Sequence, residues 1–386
     1  NMHNILRNWG EIELHTALNL LTSADPLVRA FAVERLDSIL DDRMMMVHML
    51  QLVQALKMEP CHDSALARFL LRRSIKNKAY VGHALYWGLQ AEMHRPEAME
   101  RYGLLISIFL RHCGDYRNGI GHQCFFMQKL QNAQIKIKAM SSKQKQKAEM
   151  FKQIKLMADV LPESFKLPLR GNAVIKTLVP EKCRVMSSKM KPIWLNCKTN
   201  TDQTYMVLFK AGDDLRQDQL TLQLLYIFDD LWRQHAAIDT TPKIASWERK
   251  NAFDLNMTPY GCVATGDEVG LIEIVKNANT VAGILACAGN EDKGRPKEMS
   301  LYDAATGQTV AAKYSIRKWL YLQTTPNVSL EELEKEEMQV RMLEMQSALV
   351  DEDLQQAEME KLYPLTKEVE EKFMLSCAGY CVATYV

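Results

Sequence analysis

The sequence lacks a charge excess of either sign, because 48 lysines and arginines balance 47 aspartates and glutamates to a net charge of +1. This balance excludes a nucleic-acid binder that relies on bulk positive charge. The sequence also lacks an apolar run of membrane-spanning length, and its polar N-terminus is unlike a signal peptide. Its nine cysteines show no paired zinc-type spacing. These absences favour a cytoplasmic protein with reduced thiols, and 386 residues suffice for two or three domains.

Residues 1–162 are predicted to form paired helices. Asp25 and Pro26 give an N-cap and a proline at the first helical position, so we expect a helix over Ala24–Ile39. Its apolar face predicts three buried side chains: Val28, Phe31 and Leu36. The same amphipathic pattern recurs in three further segments: Arg43–Met58, Asp63–Asn77 and Tyr80–His94. Such a stack of helix pairs is similar to a HEAT-type solenoid, whose ordinary function is scaffolding.

The centre of the chain is the segment Met206–Gln223. Its apolar start, Met206–Phe209, predicts a short buried strand that Lys210 closes. Asp213 and Asp214 follow a turn and predict the N-terminus of a helix. A lysine at this position is a point charge suited to phosphate oxygens if it faces a pocket. From the spacing alone, a weak surface ion pair is the more common arrangement.

Four segments resemble the phosphoinositide 3-kinase superfamily and occur in the family's order. They read RVMSSKMKPIWLN, FKAGDDLRQDQLTLQ, TPYGCVATGDEVGLIEIV and SCAGYCVATYV, and the second of them is similar to the family's ATP-lysine segment. Two upstream segments resemble the helical domain of the class I enzymes: LARFLLRRSIKNKAYVGHALYWGLQAEMH and RYGLLISIFLRHCG. The resemblance covers most of the chain and is closest to the class I catalytic subunits.

The resemblance implies an α+β protein in three parts. Residues 1–162 would be a HEAT-like helical domain, and residues 163–275 would be the small, β-rich lobe of a bilobal protein-kinase-like fold, with the ATP pocket. Residues 276–386 would be a partial large lobe. Within it, the charged segment Ser329–Lys361 predicts a long helix, which is either solvated or a partner-binding surface.

The resemblance also assigns the nucleotide-binding residues. Met186 and Trp194 would cover the adenine, and Leu208 would form the roof of the pocket. Ser188, in a strand–turn–strand, would contact phosphate, and Lys210 would bridge the nucleotide phosphates. The sequence departs from the family at Met190, where a lysine is usual; Lys189 and Lys191 flank this position.

The other half of the predicted pocket comes from the segment Thr258–Val275, read as two strands joined by a turn. Asp218 and Tyr260 would form a polar patch at the back of the pocket, and Ile272 would guard its deep end. Glu273 and Val275, at the hinge between lobes, would offer backbone groups to the adenine edge, which needs one acceptor and one donor.

By resemblance, the full protein is an ATP-dependent phosphatidylinositol 3-kinase that uses Mg²⁺ and phosphorylates the inositol 3-hydroxyl of membrane phosphoinositides. It would be recruited peripherally to membranes. A regulatory subunit and a small GTPase would bind through modules that lie upstream in the family. A protein-kinase member of the superfamily is a further alternative.

The family's catalytic loop and metal-binding motif are not found among these residues, and no histidine follows His235. We therefore expect a chain truncated at both ends that does not phosphorylate lipid by itself, because phosphoryl transfer needs both groups. The alternative function is a non-catalytic, regulatory scaffold that retains a partial nucleotide pocket.

Overall fold

A computed structural model describes residues 9–169, 173–238, 257–276 and 360–385, with separate positions at 255, 278, 316–317, 319–321 and 324–325. Within helices, the side chains of 235–238 and 378–385 lie outside this description. The chain divides into two compact units. The first comprises Asn1–Thr241 and Met257–Val275, and the second comprises Pro242–Asn256 and Lys276–Val386.

The first unit begins with helices that follow one another through short turns. In chain order they are α1 (Leu14–Leu20), α2 (Pro26–Ile39), α3 (Asp42–Val47), α4 (Met49–Ala55), α5 (Ala65–Lys76), α6 (His83–Ala91), α7 (Pro96–His112), α8 (Tyr116–Lys138) and α9 (Lys143–Val160). The predicted cap of α2 is confirmed, since the Asp25 carboxylate accepts a hydrogen bond of 2.8 Å from Leu27 N. The single helix predicted over Arg43–Met58 is wrong. The segment forms two helices that meet at His48, and a 3₁₀ turn over Leu56–Met58 follows them.

The apolar face of α2 is only partly as predicted. Val28 and Leu36 are buried, and Leu36 has no exposed surface. Phe31 is only half-buried, so the prediction that it lies in the core is wrong. Its ring stacks on Trp9 at 6.1 Å between centroids, and the Arg35 guanidinium lies over it at 4.9 Å. Phe31 therefore packs beneath residues at the surface rather than inside the helical core.

An antiparallel sheet follows the helices. Its strands are β1 (Phe165–Lys166), β2 (Val174–Leu178), β3 (Arg184–Val185), β4 (Ile193–Thr199), β5 (Thr204–Ala211), β6 (Cys262–Gly266) and β7 (Val269–Glu273). Among the described residues the order across the sheet is β1-β2-β4-β5-β7-β6, and β3 pairs with β4. Helix α10 (Arg216–Ile238) connects towards the β6–β7 hairpin. Helices followed by this sheet confirm the α+β class.

The two faces of the sheet differ in burial. Helices α8 and α9 cover one face, and the apolar core there includes Phe126 and Ile154 from the helices and Ile193, Leu195 and Phe209 from the sheet. Helices α6 and α10 lie at the opposite edge, against β6. The edge and the partly open face are therefore the places where the sheet can present functional side chains.

The second unit contains helix α11 (Lys367–Tyr385). Arg317 forms an ion pair of 2.6 Å with Glu370 and donates a hydrogen bond of 3.0 Å to the carbonyl of Tyr363. Tyr363 is fully buried, and its ring lies 5.9 Å from that of Tyr321. The predicted helix over Ser329–Lys361 lies outside the described residues except at its last two positions.

Candidate functional site

Three of the predicted site residues occupy one row across the sheet. Trp194 pairs with Leu208 between β4 and β5, and Leu208 pairs with Ile272 between β5 and β7. Directly paired residues of antiparallel strands point to the same face. We call Trp194, Leu208 and Ile272 the apolar row. Its neighbours in register are Arg184 on β3 and Cys262 on β6.

The apolar row lies on the partly open face of the sheet. Its three side chains are half-buried, whereas Ile193, Val207 and Leu271, next to them along the strands, are fully buried on the other face. At one end of the row the Arg184 guanidinium stacks on the Trp194 ring at 4.1 Å. The row is thus a flat apolar platform with a cation at its margin.

Met186 belongs to the same face by alternation. It follows β3 two positions after Arg184, and its N–H donates a hydrogen bond of 2.9 Å to the carbonyl of Pro192. Its side chain is half-buried. Four of the predicted apolar or aromatic contacts therefore come to one surface, although they lie 86 positions apart in the sequence at their extremes.

Lys210 lies two positions beyond Leu208 on β5 and shares its face. Its Nζ is 3.6 Å from Asp213 Oδ2, so the acid beside the lysine is Asp213. The strand partner of Lys210 is Gly270. A Cβ at Gly270 would lie 2.1 Å from the Val263 carbonyl oxygen and 2.8 Å from Leu215, so only glycine fits beside the lysine.

The turn that carries Ser188 is anchored from the helical region. The buried Gln134 of α8 donates a hydrogen bond of 2.7 Å to the carbonyl of Met190. The Met190 side chain packs on Gly212, whose missing Cβ would lie 2.9 Å from the Met190 sulfur. Lys191 adopts a left-handed backbone (φ 52°) and donates to the Ser188 carbonyl, while Ser188 itself is exposed. Met190 therefore fills the base of the turn and leaves its serines outside.

At the end of β7, one backbone N–H has no acceptor among the described residues. Glu273 N and Ile274 N donate to the carbonyls of Gly261 and Met206, at 2.7 and 3.0 Å. The exposed Val275 has no hydrogen-bond acceptor for its N–H within the described part of the chain. The Glu273 side chain turns back and accepts a hydrogen bond of 2.9 Å from Gly261 N.

Asp218 and Tyr260, the predicted polar patch, lie in different settings. Tyr260 lines a cavity at the β6 edge, and Asp218 does not. Asp218 is exposed on α10. Burial raises the pKa of the Cys262 thiol to about 12, and the nearby Asp218 contributes to the rise, whereas the Lys210 ammonium opposes it. Asp218 and Lys210 therefore share a neighbour at the end of the apolar row.

The sequence reasoning missed a buried carboxylate in α6–α7. Glu92 is 2% exposed and accepts hydrogen bonds from Arg216 (2.6 Å), Lys57 (2.8 Å) and Gln54 (3.0 Å). Arg216 in turn holds the Asp214 carboxylate with two further bonds, and Asp214 caps α10 through Arg216 N. Arg95 also lies 3.2 Å from Glu92 and is three positions away, but the three hydrogen-bond donors are 124, 35 and 38 positions away, so local spacing does not reveal this cluster.

No group of three or more His, Cys, Asp or Glu side chains in the described ranges is arranged to hold a metal ion. None of the described helices is both long and apolar enough to cross a bilayer.

Two family models match segments of this chain. Residues 1–121 match the accessory domain (PIK domain) of the phosphoinositide 3-kinase family, and residues 204–386 match phosphatidylinositol 3- and 4-kinase. Over 99% of its length the chain is 34% identical to phosphatidylinositol 3-kinase 2 and 32% identical to phosphatidylinositol 3-kinase 1 of Dictyostelium discoideum. It spans 17% and 20% of the lengths of these proteins. Because the accessory-domain and kinase matches both describe phosphoinositide kinases, and the relatives match over nearly the whole chain, the chain belongs to the phosphoinositide 3-kinase family.

Proposed function

We propose that the chain is part of a class I-like phosphatidylinositol 3-kinase catalytic subunit whose small lobe binds ATP. In this proposal residues 1–162 are a HEAT-like helical domain, residues 163–275 are the small lobe of a bilobal kinase fold, and residues 276–386 are part of the large lobe. The observation that carries the proposal is the apolar row with Lys210 two positions further along the same face.

The apolar row suits a planar, weakly polar ring such as adenine. Neighbouring strands lie about 4.8 Å apart, so three aligned side chains span about 10 Å. Met186 and Trp194 would cover the ring from one side, while Leu208 and Ile272 support it. The Val275 N–H and the Glu273 carbonyl would supply the donor and the acceptor that the adenine edge requires. Tyr260 and Asp218 would contact the back of the pocket once nucleotide is bound.

The phosphates would lie towards Lys210 and the exposed Ser188. A lysine ammonium is a compact charge that binds phosphate oxygens without a fixed geometry. Phosphate would take over the contact that Asp213 makes with Lys210 at 3.6 Å. ATP supplies the transferable γ-phosphoryl group, and Lys210 and the turn would hold and orient it. We assign no step to Mg²⁺ or another metal, since the described residues offer no metal-binding group.

The acceptor in this proposal is the inositol 3-hydroxyl of a phosphoinositide in a membrane surface. Regulatory-subunit and small-GTPase contacts, and peripheral membrane recruitment, are proposed for the whole protein. They rest on family membership and on the names of the relatives, phosphatidylinositol 3-kinases 1 and 2.

The test is ATP affinity of the purified 386-residue chain, measured by displacement of a fluorescent ATP analogue. Lys210→Ala should weaken ATP binding by about 10-fold to 100-fold, since a hydrogen bond to a charged group contributes about 1.5–3 kcal/mol. It should leave adenosine affinity unchanged. Ile272→Ala should weaken both ligands.

Lys198→Ala is the matched control, because Lys198 is an exposed lysine at the far end of β4. Equal ATP affinity in the Lys210 and Lys198 variants would contradict the proposed nucleotide site.

A further inference from the structure

A cavity of about 380 Å³ lies where α3, α4 and α6 meet α10 and the β6 edge. All its lining residues belong to the first compact unit. Trp194, Leu208, Ile272 and Lys210 do not line it, so it lies outside the apolar row. Tyr260 and Glu273 do line it, so it adjoins the proposed nucleotide pocket at the β6–β7 hairpin. Its volume falls within the range of about 300–1,000 Å³ that is typical of small-molecule sites.

The walls of the cavity are largely apolar and come from both regions of the unit. Met46 and Met49 contribute from α3 and α4, Ala84 and Trp87 from α6, and Leu222 from α10. Methionine is flexible and polarisable, so it adapts to ligands of different outline. Displacement of water from such walls favours the binding of an apolar molecule.

The polar side chains at the margin already have partners inside the protein. Arg43 binds Asp230 at 2.7 Å, and Arg216 binds Glu92 at 2.6 Å. The two ring nitrogens of His83 lie 2.8 Å from Tyr116 Oη and 2.7 Å from the Pro168 carbonyl. The Gln219 side chain accepts from Ala264 N at 2.9 Å. A charged ligand would have to break these pairs, and a neutral ligand would not.

We propose that this cavity binds a neutral, largely apolar small molecule of two or three rings, and that its occupation changes nucleotide affinity. The second half rests on the proposed function. Binding needs no charge partner and buries apolar ligand surface against residues of α3, α4, α6 and α10 at once. A bound ligand would therefore contact the helical region and the sheet edge at the same time and stabilise their relative position.

The β6–β7 hairpin carries the coupling to the nucleotide. Gly261, Cys262 and Glu273 line the cavity, and Cys262 is also the register neighbour of Ile272 in the apolar row. Glu273 is bonded to Gly261 through both its backbone and its side chain. A ligand that shifts Gly261 or Cys262 therefore moves groups adjacent to Ile272 and Val275.

The experiment titrates the full 386-residue chain with the neutral fluorophore N-phenyl-1-naphthylamine in the absence of nucleotide. The expected result is saturable binding at one site with a rise in fluorescence. Leu222→Trp, which fills the cavity from α10, should weaken the affinity at least ten-fold. Leu224→Trp is the control, because Leu224 lies on the same helix, is 43% exposed and does not line the cavity.

Ala84→Phe fills the cavity from the opposite wall and serves if Leu222→Trp does not fold. Non-saturable binding, or equal affinity in the cavity-filling and control variants, overturns the site. A second titration measures ATP affinity at saturating fluorophore, where we expect at least a three-fold change. Unchanged ATP affinity overturns the coupling and leaves the site standing. A chain that binds the fluorophore but never ATP contradicts the proposed function instead.

Discussion

Arg216 at the start of α10 donates a 2.6 Å hydrogen bond to Glu92, which lies 124 positions earlier in the helical region. Arg216 also holds Asp214, and the adjacent Asp213 lies 3.6 Å from Lys210. A short chain of contacts thus runs from a buried carboxylate of the helical region to the proposed phosphate lysine. The helical region therefore helps to fix the geometry of the site.

The charge of Glu92 should make stability depend on pH. Burial alone would raise the pKa of Glu92, but hydrogen bonds from Lys57, Arg216 and Gln54 outweigh it and lower the pKa from 4.5 to about 2. A lowered folded-state pKa gives stability that is present above pH 4.5 and is lost as the pH falls towards 2. Glu92→Gln removes this dependence, and it should lower the free energy of unfolding at pH 7 by about 2–3 kcal/mol.

Urea unfolding at pH 7 and pH 4 checks this prediction. The variant should lose about 0.8 kcal/mol less than the native chain between these two values, the amount that protonation of the unfolded carboxyl supplies. Glu34→Gln, at an exposed position of α2, is the control and should show the native pH dependence. An identical pH dependence for Glu92→Gln would show that the carboxylate is not stabilised in the folded chain.

Removal of the anchor beneath the Ser188 turn should affect phosphate binding selectively. Gln134→Ala leaves the carbonyl of Met190 without its 2.7 Å donor, an unsatisfied group that costs about 1–3 kcal/mol. ATP affinity should fall several-fold while adenosine affinity holds, because the turn is proposed to face the phosphates. Calorimetric titration of both ligands measures this split. Gln128→Ala, exposed on the same helix, should change neither affinity, and a parallel loss of both ligands would argue against the turn.

Two substitutions on α2 should differ in the order that burial dictates. Leu36→Ala should lower the free energy of unfolding by about 2–5 kcal/mol, since Leu36 is fully buried. Phe31→Ala should cost only about 1–2 kcal/mol, because its ring is half-buried and stacks on Trp9. Urea denaturation of the two variants provides the comparison, and a larger loss for Phe31→Ala would place that ring in the core.

Two glycines of the β6–β7 hairpin provide a matched pair. Gly270→Ala would place its Cβ 2.1 Å from the Val263 carbonyl oxygen, so strand pairing must shift and the free energy of unfolding should fall by about 2–4 kcal/mol. Gly266→Ala meets nothing within 4 Å and should change stability by less than about 1 kcal/mol. Thermal unfolding by circular dichroism separates the two, and equal melting temperatures would mean that the hairpin accommodates the methyl group.

The sequence by itself determined the features that depend on near neighbours. The Asp25 cap, the strand that ends near Lys210, and the acidic start of α10 follow from local backbone chemistry, and each lies where the spacing predicts it. Spacing alone also predicts the ion pair of Lys210 with a nearby acid, which is Asp213. The membership of Trp194 and Ile272 in one site came from family resemblance, because no local pattern connects residues on strands so far apart in the chain.

Only the tertiary structure decided which distant groups meet. Strand register aligned Trp194, Leu208 and Ile272, and the packing of α6 against α10 brought Glu92 to Arg216. Packing also left Phe31 half-buried, although amphipathic spacing assigns it to the core. Met190 turned inwards onto Gly212, where Gln134 holds its carbonyl. The physical reason is that local preferences extend over a few residues, whereas burial and buried hydrogen bonds depend on the whole set of contacts formed at folding.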